Sequence, residues 1–93
     1  MGKISIKITN NTSIVKFELD EFITRNQNFE FKNIDETANS PLAKQLFYLP
    51  FVKSVYISGN FIAVEKFSIV EWEDVQEDVA NQIEDFIAKG GKI

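Results

Sequence analysis

Residues 52–67 read Val52-Lys-Ser-Val-Tyr-Ile-Ser-Gly59-Asn60-Phe-Ile-Ala-Val-Glu-Lys-Phe67. The runs on either side of Gly59-Asn60 are rich in β-branched and aromatic residues, which suit strands. Gly-Asn between two such runs supplies the left-handed backbone of a tight turn. An antiparallel hairpin is therefore expected, and the rest of the chain is placed around it.

Downstream, Ser68-Ile69-Val70-Glu71 has the spacing of a capping box. Trp72, Val75, Val79, Ile83, Phe86 and Ile87 then recur at helical spacing. Phe67 and Trp72 bracket the expected cap as a hydrophobic staple. Lys89 and Gly90-Gly91 are suited to the helix end. Upstream, Ser40-Pro41 reads as N-cap and first helical residue, with Leu42, Leu46, Leu49 and Phe47 on one face and Pro50 as the stop. Ile4, Ile6 and Ile8 alternate with polar residues, Asn10-Asn11-Thr12 reads as a turn, and Val15, Phe17 and Leu19 alternate again as the hairpin partner. Phe29 and Phe31 flank Glu30 in a short further strand. Phe22 and Ile23 could pin the polar stretch between these strands to the core.

This order predicts an α+β fold of two layers, with a mainly antiparallel sheet of four to five strands and two helices packed on one face. Residues 1–89 are expected to form a single domain, and 90–93 to begin a linker or C-terminal tail. The residues Phe17, Phe29, Phe31, Phe47, Phe61 and Phe67 are expected in the core, with Phe51 equally suited to either environment.

The 93 residues contain no cysteine and no histidine. Zinc sites, iron–sulfur ligation and His- or Cys-based catalysis cannot be built from these residues. The net charge of −4, with basic residues scattered among the acids, argues against nucleic-acid and membrane partners. No stretch suits a bilayer span and no secretion signal is legible, so a cytoplasmic location is expected. No catalytic residue, metal ligand or cofactor site stands out.

Two surfaces attract attention. Glu73, Asp74, Glu77 and Asp78 carry like charges at i, i+4 spacing on the last helix. They form either a docking face for a basic partner or a solvated helix face. Thr9, Asn11, Asn39, Ser40 and Pro41 are polar or turn residues that packing does not demand. They are candidates for partner binding, against the plainer reading of turn, cap and first helical residue. The N–H groups at the start of that helix would suit a carboxylate or phosphate.

The run Ser40-Pro-Leu-Ala-Lys-Gln-Leu-Phe47 and the strand Phe61-Ile-Ala-Val-Glu-Lys66 resemble the N-terminal domain of the Nfu-type, NifU-like iron–sulfur scaffold proteins. Trp72 opening an acidic helix is similar to that family too, as is Val15-Lys16-Phe17 to its Leu-Lys-Phe. Thr9 and Asn11 match its Thr-Pro-Asn-Pro-Asn turn. That turn's prolines are replaced by Asn10 and Thr12 and its last Asn by Ser13, while Phe51 stands where the family has Gly before Val52.

The resemblance implies a non-catalytic interaction or regulatory domain of an iron–sulfur cluster assembly scaffold. The [4Fe–4S] cluster would sit on the Cys-x-x-Cys motif of a separate C-terminal domain, with no cofactor on these residues. Partners would be iron–sulfur assembly factors or client apoproteins. The alternative is a stand-alone module for a peptide or small ligand unrelated to iron–sulfur assembly.

Overall fold

The computed structural model describes residues 4–20, 22–24 and 27–89. The expected linker or tail at 90–93 lies outside them. Five strands form one sheet: β1 (Ser5–Ile8), β2 (Ile14–Glu18), β3 (Asn28–Phe31), β4 (Val52–Ser58) and β5 (Phe61–Lys66), in the order β1-β2-β5-β4-β3. Every neighbouring pair is antiparallel. Two α-helices, α1 (Pro41–Phe47) and α2 (Trp72–Ala88), cover one face. The predicted two-layer α+β architecture is thus the one observed.

The Gly59-Asn60 hairpin has Gly59 at φ +57°, as a two-residue turn demands. Its register pairs Ile57 with Ile62 and Val55 with Val64. These four are fully buried, as is Phe17 opposite Ile62. Residues directly opposite share a face, so Phe61, paired with Ser58, points to the other side. There the Lys16 ammonium lies 4.4 Å from the centre of its ring and Tyr56 packs alongside. Phe67 follows the strand end and is 46% exposed. The expectation that Phe61 and Phe67 are core is therefore corrected: hairpin register selects Ile62 and Val64 instead.

Phe51, Val52 and Val55 are all buried, although a regular strand would turn Val52 and Val55 to opposite faces. The register shifts between Val52 and Ser54, and the extra residue of this bulge returns both valines to the core.

The capping box is not formed. Glu71 is the N-cap, makes no side-chain cap bond, and α2 starts at Trp72. The Phe67 N–H bonds the Phe51 carbonyl at 2.8 Å, prolonging the sheet past Lys66. Residues 68–70 are consumed in crossing to the helix layer. The staple fails for the same reason: Trp72 meets Phe17 and Phe51 edge-on, at 5.9 and 6.3 Å between ring centres.

Leu19, Ile23 and Thr24 are fastened to the hairpin turn. Ile23 N–H and Thr24 N–H donate to Gly59 O at 2.7 and 3.1 Å, and Gly59 N–H donates to the Thr24 hydroxyl at 3.0 Å. Leu19 N–H donates to Asn60 O, and the Asn60 side-chain amide returns a bond to Leu19 O. Ile23 packs against the core while Phe22 is exposed. A short 3-10 helix, Ile34–Thr37, precedes α1 and had no counterpart in the sequence reading.

Candidate partner-binding surfaces

The first turn is built by Thr9 and Asn11. The Thr9 hydroxyl lies 2.9 Å from the carbonyl oxygens of both Asn11 and Ile14 and accepts the Asn11 N–H at 3.1 Å. The Asn11 carboxamide oxygen accepts the Ser13 N–H at 2.8 Å, an Asx turn. These bonds push the Ser13 carbonyl inward, where it accepts the Lys66 N–H at 3.0 Å and the Trp72 indole N–H at 2.9 Å. The turn therefore locks β2, β5 and the start of α2 together. The best hydrogen-bonding groups of Thr9 and Asn11 are committed to that task.

At the start of α1, Ser40 is 3% exposed and its hydroxyl accepts the Ala43 N–H at 3.3 Å. Pro41, exposed at the first helical position, has no N–H. Cap and proline thus remove two of the three N–H groups that the first turn of this seven-residue helix could offer a ligand. Asn39 is exposed and, with Ser40, Phe29, Phe31 and Glu36, lines a cleft of about 230 Å³ beside β3.

The two halves of the expected face do not meet. Thr9 and Asn11 sit beside β1 and β2, whereas Asn39 and Ser40 line the cleft beside β3, toward the opposite edge, and Pro41 borders the depression between α1 and α2. Three to four strand spacings, roughly 15–20 Å, separate them.

The first turn instead adjoins α2. Ile8, Thr12, Ile14, Trp72, Glu73 and Gln76 are among the residues bordering an open groove of about 390 Å³ between the β1–β2 end and the start of that helix. Ile8 pairs with Val15, so it belongs to the helix-bearing face, yet it is 84% exposed. The alternation of Ile4, Ile6 and Ile8, which implies a strand with one buried face, is thus corrected at Ile8: α2 reaches over Val15 and not over the edge strand. Glu73, Asp74, Glu77 and Asp78 are all exposed. Among the described residues, ion pairs join Lys53 to Glu65 and Lys89 to Asp85, and none involves these four acids. Glu73 and Asp74 complement the positive end of the α2 dipole.

A third depression, about 520 Å³, runs between α1 and α2, with Tyr48 and Phe86 on its walls and a Gln45–Gln82 side-chain bond of 2.6 Å across it. The role of Ile8 and Gln76 is not apparent from the sequence. Ile8 follows the same alternation as its buried partners, and Gln76 reads as ordinary helix surface.

Among the described residues, no three His, Cys, Asp or Glu side chains cluster as metal ligands, and no helix is long and apolar enough to cross a membrane. The sequence holds neither thiol nor imidazole, so its donor set does not fit an iron–sulfur cluster.

Comparison with known proteins places these features. Residues 4–90 match the family model described as the N-terminal domain of the Nfu/NifU scaffold protein. The mitochondrial NFU1 iron–sulfur cluster scaffold homologue of Drosophila willistoni is 33% identical, covering 97% of this chain and 33% of that protein. Its human counterpart is 32% identical, covering 94% of this chain and 35% of that protein. The solution structure of a NifU-like protein from Saccharomyces cerevisiae superposes with a TM-score of 0.86 at 27% identity, over all of this chain and 84% of that one. The crystal structure of SAV1430 from Staphylococcus aureus gives 0.73 at 26% identity, over 87% and 98% respectively. The chain spans about a third of the length of these fly and human relatives. Match length, identity and superposition agree, and the chain belongs to the Nfu/NifU N-terminal family of scaffold-protein domains.

Proposed function

We propose that this domain is a non-catalytic protein-interaction module of iron–sulfur cluster assembly. It would recognise assembly factors or apoproteins while the cluster itself is held on cysteines outside residues 1–93. The observation that carries the reading is the family match over residues 4–90 in a sequence with no Cys and no His. A scaffold-family domain with no thiolate or imidazole to hold a cluster would contribute recognition instead. The fly and human relatives are named as mitochondrial. For this chain a cytoplasmic site of action remains part of the proposal.

The interface we favour combines the first turn, around Thr9 and Asn11, with the exposed acids Glu73, Asp74, Glu77 and Asp78. Groove and helix lie side by side there, and no ion pair among the described residues involves these acids. Asn39, Ser40 and Pro41, around the start of α1, would serve a second contact. The test is a titration of isotope-labelled domain with an apo iron–sulfur client, read by NMR. Shifts at Asn11, Thr12 and Glu73 support the assignment. Saturating apoprotein that moves no resonance in the domain refutes the module reading.

A further inference from the structure

We infer that the open edge of the sheet at β1, together with the groove against the start of α2, is a docking site for an extended cationic peptide segment that adds as a sixth strand. This deepens the interaction reading above and rests on it. Three observations carry the inference.

First, β1 is the outer strand of the sheet, and the backbone groups of its alternate residues point away from β2 with no strand among the described residues to receive them. Second, Ile8 lies in the inward phase of that strand, opposite Val15, and is 84% exposed. An added strand would set a side chain directly beside it, completing the apolar row that runs through Val15, Val64 and Val55. Third, the far wall of the groove is acidic. Glu71 and Glu73 line it, and Glu77 follows one turn further along the same side of α2.

Charge decides which occupant fits. A second copy of this chain, at −4, would bring its own acids to this end of the molecule. A segment alternating aliphatic and basic residues would instead place its aliphatic side chains on Ile8 and its ammonium or guanidinium groups against Glu71, Glu73 and Glu77. Backbone pairing then supplies affinity and alternate side chains supply selectivity.

The probe is an acetylated, amidated peptide, Arg-Val-Lys-Val-Arg-Val, added to the whole chain. Trp72 is the sole tryptophan and lines the groove, so its emission reports occupancy, with NMR shifts locating the site. The expected result is saturable binding with shifts along β1 and the first turn of α2. Affinity should fall on the order of tenfold for Ile8→Lys, for Glu71→Lys/Glu73→Lys, and for a peptide N-methylated at alternate residues. Ile8 and both glutamates are exposed, so the variants should fold as the parent does.

Equal affinity for a peptide with Glu in place of each Arg and Lys overturns the inference. So does binding unaffected by Ile8→Lys, shifts confined to the α1–α2 depression, or no binding at all. A dimer that Ile8→Lys dissociates would assign the edge to a second copy and equally overturn it. No iron–sulfur protein enters this assay, so its failure leaves the apoprotein titration standing, and the reverse also holds.

Discussion

Trp72→Ala is the sharpest probe of how the layers are joined. The indole is 7% exposed, packs edge-on against Phe17 and Phe51, and donates to the Ser13 carbonyl at 2.9 Å. Removing about 200 Å² of buried aromatic surface at ~25 cal/mol per Å² is worth about 5 kcal/mol, partly recovered by relaxation. The hydrogen bond adds about 1 kcal/mol. A net loss of about 3–5 kcal/mol is expected, against a total of roughly 5–15 kcal/mol for a domain. Trp72→Phe dissects that figure. It keeps a ring, gives up roughly 50 Å² and the indole N–H, and should cost about 2 kcal/mol. The Ser13 carbonyl is not orphaned, because the Lys66 N–H still reaches it at 3.0 Å. Urea unfolding followed by far-UV circular dichroism measures both, since either variant removes the fluorophore. A loss below about 1 kcal/mol for Trp72→Ala, or equal losses for the two variants, would refute the packing account.

Gly59→Ala forces a side chain into φ +57°, although the added methyl would meet no atom within 4 Å. Backbone strain alone should cost about 1–2 kcal/mol, lowering Tm by roughly 5–15 °C; an unchanged melting curve contradicts this. Ser40→Ala removes the α1 cap bond and should cost about 1 kcal/mol in urea titrations, and a neutral result would mean the bond contributes nothing. Anaerobic incubation with iron and sulfide should leave the chain colourless, because it offers no thiolate or imidazole. A stoichiometric brown species on the monomer would contradict that expectation.

The parts of the fold that rest on local chemistry were legible. Gly59-Asn60 specifies its own turn, Ser40-Pro41 its own cap, and the apolar spacing of α2 its own face. What failed depended on partners distant in sequence. Either Phe61 or Ile62 could have faced inward, and the pairing of Ile62 with Phe17, 45 residues earlier, decides. The bulge after Val52 leaves no compositional trace. Ser68 has the spacing of a cap, but the sheet continues to Phe67 and Trp72 is held by Ser13, so the helix waits until residue 72. At the surface, Thr9 and Asn11 stood out because their geometry is special, and the structure shows that geometry serving the turn itself. The exposure of Ile8 could not be read at all. It exists because α2, more than sixty residues later, does not extend over the edge strand.

The bonds that join Leu19, Ile23 and Thr24 to the Gly59-Asn60 turn have a kinetic consequence. They span up to 41 residues of sequence, whereas β1–β2 and β4–β5 each close over a short loop. Short hairpins form in about 1–10 μs, and long loops close only against a larger entropic cost. The two hairpins should therefore form early and separately, with the slow step being the capture of β2 by β5, completed when Leu19, Ile23 and Thr24 dock onto a turn already shaped to receive them. In stopped-flow refolding, strain at Gly59 should thus retard folding. Loss of Trp72, which ties the last helix to a finished sheet, should mainly hasten unfolding.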